Sequence, residues 1–78
     1  MISRGRAEEE KDWLIGSYVL EARIKSNLSQ ATLGARVSVS RDTIYRIETN
    51  RLSPSVTLLR RIAKALNTTV SSLLRSEG

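Results

Sequence analysis

From Trp13 onward apolar positions recur every three or four residues, and no stretch alternates with period two, so the chain predicts helices and no strands. Ile15, Tyr18, Val19 and Ala22 share one face of a first helix that ends near Lys25 or Ser26. Asn27 stands at the turn, where its side chain tolerates left-handed backbone. Trp13, Leu20 and Ile24 gather on roughly the opposite face, one apolar face more than a small monomer core requires. Ser29 is an N-cap signal for a short helix through about Arg36, and Val37-Ser38-Val39 connects it to a second cap at Ser40. The next helix runs from Arg41 to about Thr49, with Ile44 and Ile47 inward and Asn50 as its stop. After the loop Leu52-Ser53-Pro54, Ser55 caps a fourth helix through Leu66, with Leu58, Leu59, Ile62, Ala63 and Leu66 as its stripe. Asn67 ends it, Thr69 caps a last short helix, and Val70, Leu73 and Leu74 form the inner face of that helix. The pattern is all-α, with five helices joined by short turns.

At 78 residues the chain is one small domain. Residues 13–75 form the folded part, 1–12 a polar arm or frayed helix start containing Glu8-Glu9-Glu10, and 76–78 a short tail. Without Cys or His there is no disulfide, no thiolate nucleophile and no common zinc site, and no metal or cofactor is implied. The scattered carboxylates form no paired acid–base site, so the chain does not read as an enzyme. Apolar runs are too short to span a membrane, and Met1 to Asp12 lacks the apolar core of a signal peptide, which points to the cytoplasm. Thirteen Lys and Arg against eight Asp and Glu give +5, and ten of the thirteen are Arg. The planar donor edge of Arg suits phosphates and guanine, so the balance points to a negatively charged partner.

The stretch Leu28 to Asn50, LSQATLGARVSVSRDTIYRIETN, carries the function. Two short helices joined by a turn of about three residues make a helix-turn-helix, whose second helix can enter a DNA major groove. Gly34 stands where the helices approach, and Leu33, Val37, Val39, Ile44 and Ile47 supply the seam. Arg41, Asp42, Thr43 and Arg46 are left outward at the start of the second helix. Ser38 occupies the turn, where such motifs often use Gly for its left-handed conformation.

With these residues in place, LSQATLGARVSVSRDTIYRIETNRLSPSVTLLRRIAKALN resembles the Cro/CI-type (XRE-type) helix-turn-helix family of phage and bacterial transcription regulators. The resemblance covers about Ile15 to Leu74. Its core is the ordered run SQ-x-x-L, V-S-x-x-x-I, I-E, P-S and L-x-x-I-A-x-A-L. It implies a five-helix lambda-repressor-like domain with the motif at helices two and three. Base reading is implied at Arg41, Asp42 and Arg46, against the plainer alternatives of solvated cations with one paired to Asp42, and of Asp42 simply capping the helix start through the dipole. Gln30 is implied on a phosphate, with Thr43, Asn50 and Arg51 also near the DNA backbone. Tyr45 reaches that backbone or covers the seam. Arg23 and Glu48 match a structural ion pair common in the family, while Arg60, Arg61 and Lys64 read as a solvated face. The sequence departs from the family at Gly34, where Ala is more usual, and at Asn50, where Gly is.

The resemblance further implies a homodimer. The last helices offer Val56, Leu59, Val70, Leu73 and Leu74 as its surface, and the first helix offers Trp13, Leu20 and Ile24 as the rival. Arg4 and Arg6 would serve as a minor-groove or backbone-tracking arm, against a disordered tail in the absence of DNA. The partner is double-stranded DNA, and the implied activity is repression at a palindromic operator, autoregulatory or controlling a restriction–modification system. Contact with RNA polymerase is the activating variant. An antitoxin-type module that docks a toxin is the alternative class, and a bacterial or phage source is expected.

Overall fold

In the computed structural model the described residues are 15–74. They form α1 over 15–25, α2 over Gln30–Arg36, α3 over Arg41–Glu48, α4 over Val56–Ala65 and α5 over Val70–Leu74. No strand occurs among them. Hydroxyl side chains open the later helices. Ser29, Ser40 and Ser55 Oγ accept from the backbone N–H of Thr32, Thr43 and Leu58 at 3.0, 3.1 and 3.1 Å. Thr69 Oγ1 accepts from Ser72 N–H at 3.1 Å. Removing such a cap costs about 0.5–2 kcal/mol, a large fraction of the stability of so small a domain.

The helix ends repeat one device. Asn27, Ser38, Asn50 and Asn67 all take positive φ, between 59° and 65°. The residue after each donates its N–H five residues back: Leu28 to Arg23, Val39 to Gly34, Arg51 to Arg46 and Thr68 to Ala63, at 2.7 to 3.2 Å. This is the Schellman arrangement, which satisfies carbonyls that a helix end otherwise leaves without partners. Asn enters the left-handed region at low cost, whereas Ser38 carries most of the usual penalty for an L-residue there.

One apolar cluster joins all five helices: Val19, Leu33, Val37, Ile44, Ile47, Leu59, Ile62, Ala63, Leu66 and Leu73. Leu59 and Leu73, which the sequence places on the apolar stripes of their helices and also offers to a dimer surface, are 5% and 2% exposed and fill this core. Burying a leucine contributes about 1.5–3 kcal/mol, and a domain of this size has few other apolar side chains with which to close α4 and α5.

Two buried glycines set how closely the helices approach. A Cβ at Gly34 would lie 2.7 Å from the Val39 carbonyl oxygen, so the turn after α2 folds back more tightly than Ala allows. A Cβ at Gly16 would lie 2.7 Å from the carbonyl oxygens of both Ile47 and Glu48. The start of α1 therefore rests directly on the end of α3.

Candidate nucleic-acid interface

The buried residues of α3 are Ile44, Ile47 and Glu48. At about 100° per residue Arg41, Tyr45, Asp42 and Arg46 follow one another over an arc of about 140°, with the half-buried Thr43 beyond Arg46. All four are exposed. Arg41 and Arg46 thus flank a convex ridge, with Tyr45 and Asp42 between them. Asp42 Oδ2 lies 2.8 Å from Arg46 Nε. The pair is open to solvent and contributes little stability, but it holds one edge of the guanidinium against Asp42.

Beneath the ridge lies a buried polar network. Arg23 donates from Nε to Glu48 Oε2 at 2.6 Å and from Nη2 to Oε1 at 3.1 Å, and its Nη1 donates to the Leu28 carbonyl at 2.8 Å. Gln30 Nε2 completes the set with a 3.0 Å bond to Glu48 Oε1. The Glu48 side chain is 2% exposed and sits on the inner side of α3. One carboxylate therefore ties α3 to α1 and α2. Gln30, expected on a phosphate, has one amide hydrogen committed here and one remaining.

The loop after α3 is held in turn. Asn50 is half-buried at φ 63°, and its Oδ1 accepts from Gly16 N–H at 3.2 Å. The oxygen of Asn50 thus positions the loop against α1, and only its amide nitrogen is left to meet a phosphate. Arg51 is exposed and stacks on Tyr45, its guanidinium carbon 5.7 Å from the ring centroid. It donates from Nη1 to Tyr45 Oη at 3.2 Å and to Thr49 Oγ1 at 3.3 Å. Tyr45 is 41% exposed and does not cover the seam. Thr43 is half-buried, with its hydroxyl 3.0 Å from Ser40 Oγ in the cap.

A family model described as helix-turn-helix matches residues 19–73. The chain belongs to the helix-turn-helix family. An HTH-type transcriptional regulator of Methanothermobacter thermautotrophicus is 46% identical over 50 residues, spanning 64% of this chain and 72% of that protein. Another, from Archaeoglobus fulgidus, is 34% identical over 55 residues, 70% of this chain and 78% of that one. Both come from archaea, whereas the resemblance pointed to bacterial and phage regulators. Among solved structures, hydroxypropylphosphonic acid epoxidase from S. wedmorenis superposes with a TM-score of 0.78 over 86% of this chain at 20% identity. The iron(II) form of that enzyme with substrate matches with the same score. This chain spans only 36% and 39% of those chains, and at that identity the likeness concerns the fold alone.

For a member of this family the described residues place Arg41, Asp42, Tyr45, Arg46 and Arg51 on or beside one ridge. Of the two surfaces offered for a dimer, the one at the last helices gives Leu59 and Leu73 to the core, while the described residues of the other stay exposed. Near the last helices Val56 and Leu74 remain exposed, at 64% and 45%, while Val70 packs against the core. On α1, Leu20 and Ile24 are exposed at 36% and 58%. Trp13 and the arm residues Arg4 and Arg6 lie outside the described residues. Apolar periodicity gives no hint of Gly16 or Thr49, since both act through polar or steric contacts. The central place of Tyr45 on the ridge follows from helical spacing alone. Among the described residues no group of acids forms a metal site, and no helix is long and apolar enough to cross a membrane.

Proposed function

We propose that the protein is a sequence-specific transcription regulator that binds double-stranded DNA as a homodimer and most simply represses a promoter. The observation that carries this reading is the α3 ridge. Its apolar side is locked in the core, and Arg41, Tyr45, Asp42 and Arg46 stand outward, exposed among the described residues. Arg41 and Arg46 donate to guanine O6 and N7 in the major groove, with Asp42 orienting Arg46. Arg51, Tyr45 and the remaining donor of Gln30 meet phosphates and fix the register. A dimer sets two such ridges about 34 Å apart on a pseudo-palindrome, acting on DNA in the cytoplasm. The names of the archaeal relatives support the regulatory part of the reading.

Selection of bound duplexes from a random pool tests it. The expected product is an enriched pair of inverted half-sites about ten base pairs apart. A pool that stays random after repeated rounds defeats the sequence-specific reading. Sedimentation with and without the selected duplex tests the dimer; a single copy on each duplex would remove it.

A further inference from the structure

A second basic face lies away from α3. Arg60, Arg61 and Lys64 are exposed on α4, opposite its buried residues Leu59, Ile62 and Ala63. Arg36, the last residue of α2, extends the face: together with Arg61, Lys64 and Ala65 it lines an open hollow of about 380 Å³. Lys64 also borders a neighbouring hollow with Arg60, Thr68 and Thr69. Among the described residues no acid lines either hollow. The described residues hold nine Lys and Arg against three Asp and Glu. Two of those acids are committed elsewhere, Glu48 to Arg23 and Asp42 to Arg46. The third, Glu21, borders a different hollow beside Tyr18 and Lys25.

Four cations gathered without a counter-charge among the described residues create a local positive potential that favours an anionic occupant. α3 and α4 turn their apolar sides to the same core, so their outward faces diverge, and a duplex seated on the ridge leaves this face open. The lining decides the class of occupant. A row of phosphates would match the cations but not the apolar part of the lining, whereas the Ala65 methyl and the aliphatic stems of the long cations suit an apolar side chain beside carboxylates. We propose that the outward face of α4, with Arg36 at its edge, docks an acidic segment of another protein. Arg36 and Arg61 give charge-assisted bonds to the carboxylates, Lys64 stands between the two hollows, and the space above Ala65 takes the apolar neighbour.

The test is an amide NMR titration of the full-length, nitrogen-15-labelled protein with a capped Glu-Leu-Glu-Glu-Leu-Glu peptide. A Gln-for-Glu peptide and a random-sequence duplex serve as comparison ligands. The acidic peptide is expected to shift amides at Arg36 and along Arg60 to Thr68, and to leave those of Arg41 to Arg46 in place. Arg61→Glu with Lys64→Glu should weaken the peptide at least fivefold while duplex affinity stays within twofold. Arg61→Gln with Lys64→Gln, a milder pair, should lie between, and the amide dispersion of each variant reports its fold. Three results would overturn the proposal: no shift at millimolar peptide, shifts centred on the α3 ridge, or a tenfold loss of duplex affinity in the variants. The last would assign the face to nucleic acid instead.

Discussion

The protein carries two exposed basic regions built in different ways. On or beside the α3 ridge two cations are held by neighbours, Arg46 by Asp42 and Arg51 by Tyr45 and Thr49, while Arg41 has no such partner among the described residues. The ridge also rests on a buried carboxylate that bonds to Arg23 and Gln30. The outward face of α4 has apolar packing beneath it and no ion pair among the described residues. A held guanidinium presents its donors in a fixed direction, which favours base recognition. An unheld one supplies charge but little direction. On the proposed reading, the difference separates a surface that discriminates from one that attracts.

The largest effect expected from this contrast is on stability. Arg23→Ala leaves Glu48 buried at 2% side-chain exposure without its main partner, and breaking such a pair costs about 3–5 kcal/mol. Single Ala substitutions at Arg60, Arg61 or Lys64 should stay within about 0.5 kcal/mol, because they remove only solvated side chains. Thermal unfolding of the four variants checks both halves. Equal, small effects in all four would mean that the ridge has no polar foundation.

Local chemistry made much of this legible in the sequence. The caps at Ser29, Ser40, Ser55 and Thr69 and the stops at Asn27, Asn50 and Asn67 depend on residues a few positions apart, so residue type and helical spacing suffice. The Arg23–Glu48 pair is remote, and only the family resemblance pointed to it. Gly16 was not legible, because what makes it necessary is the end of α3, and its bond to Asn50 spans 34 positions. Leu59 and Leu73 show a different limit. Periodicity says which face of a helix is apolar, but not whether that face meets the core or a second copy. Gln30 shows a third: the donor fits both a phosphate and Glu48, and only the fold places the carboxylate 3.0 Å away.

Binding separates the two regions next. Arg46→Ala should cost about 1–3 kcal/mol on the selected duplex, roughly a 5- to 150-fold loss, with little change on random DNA. The same substitution at Arg60 should leave the ratio of the two affinities unchanged. If Arg46→Ala weakens both duplexes equally, the ridge attracts DNA without reading it, and the contrast with α4 collapses. Arg51→Ala is expected to weaken both duplexes alike and to reduce the slope of log affinity against log salt by about 0.9, the share of one phosphate. An unaltered slope would remove Arg51 from the phosphate contacts and leave its stacking on Tyr45 as a packing feature.

The smallest effect is also the most direct probe of what holding a cation does. Asp42 brings a negative charge onto a surface meant for DNA, so Asp42→Asn relieves repulsion and should raise affinity for random duplexes. The same change weakens the grip on Arg46, whose guanidinium then samples more directions. Affinity for the selected duplex should therefore rise less than that for random DNA, and the ratio between them should narrow by a few-fold, in line with the roughly 0.2–1 kcal/mol of an exposed pair. Both affinities rising by the same factor would mean that Asp42 only repels. In that case Arg46 needs no orienting partner, and the ridge and the α4 face would differ in position alone.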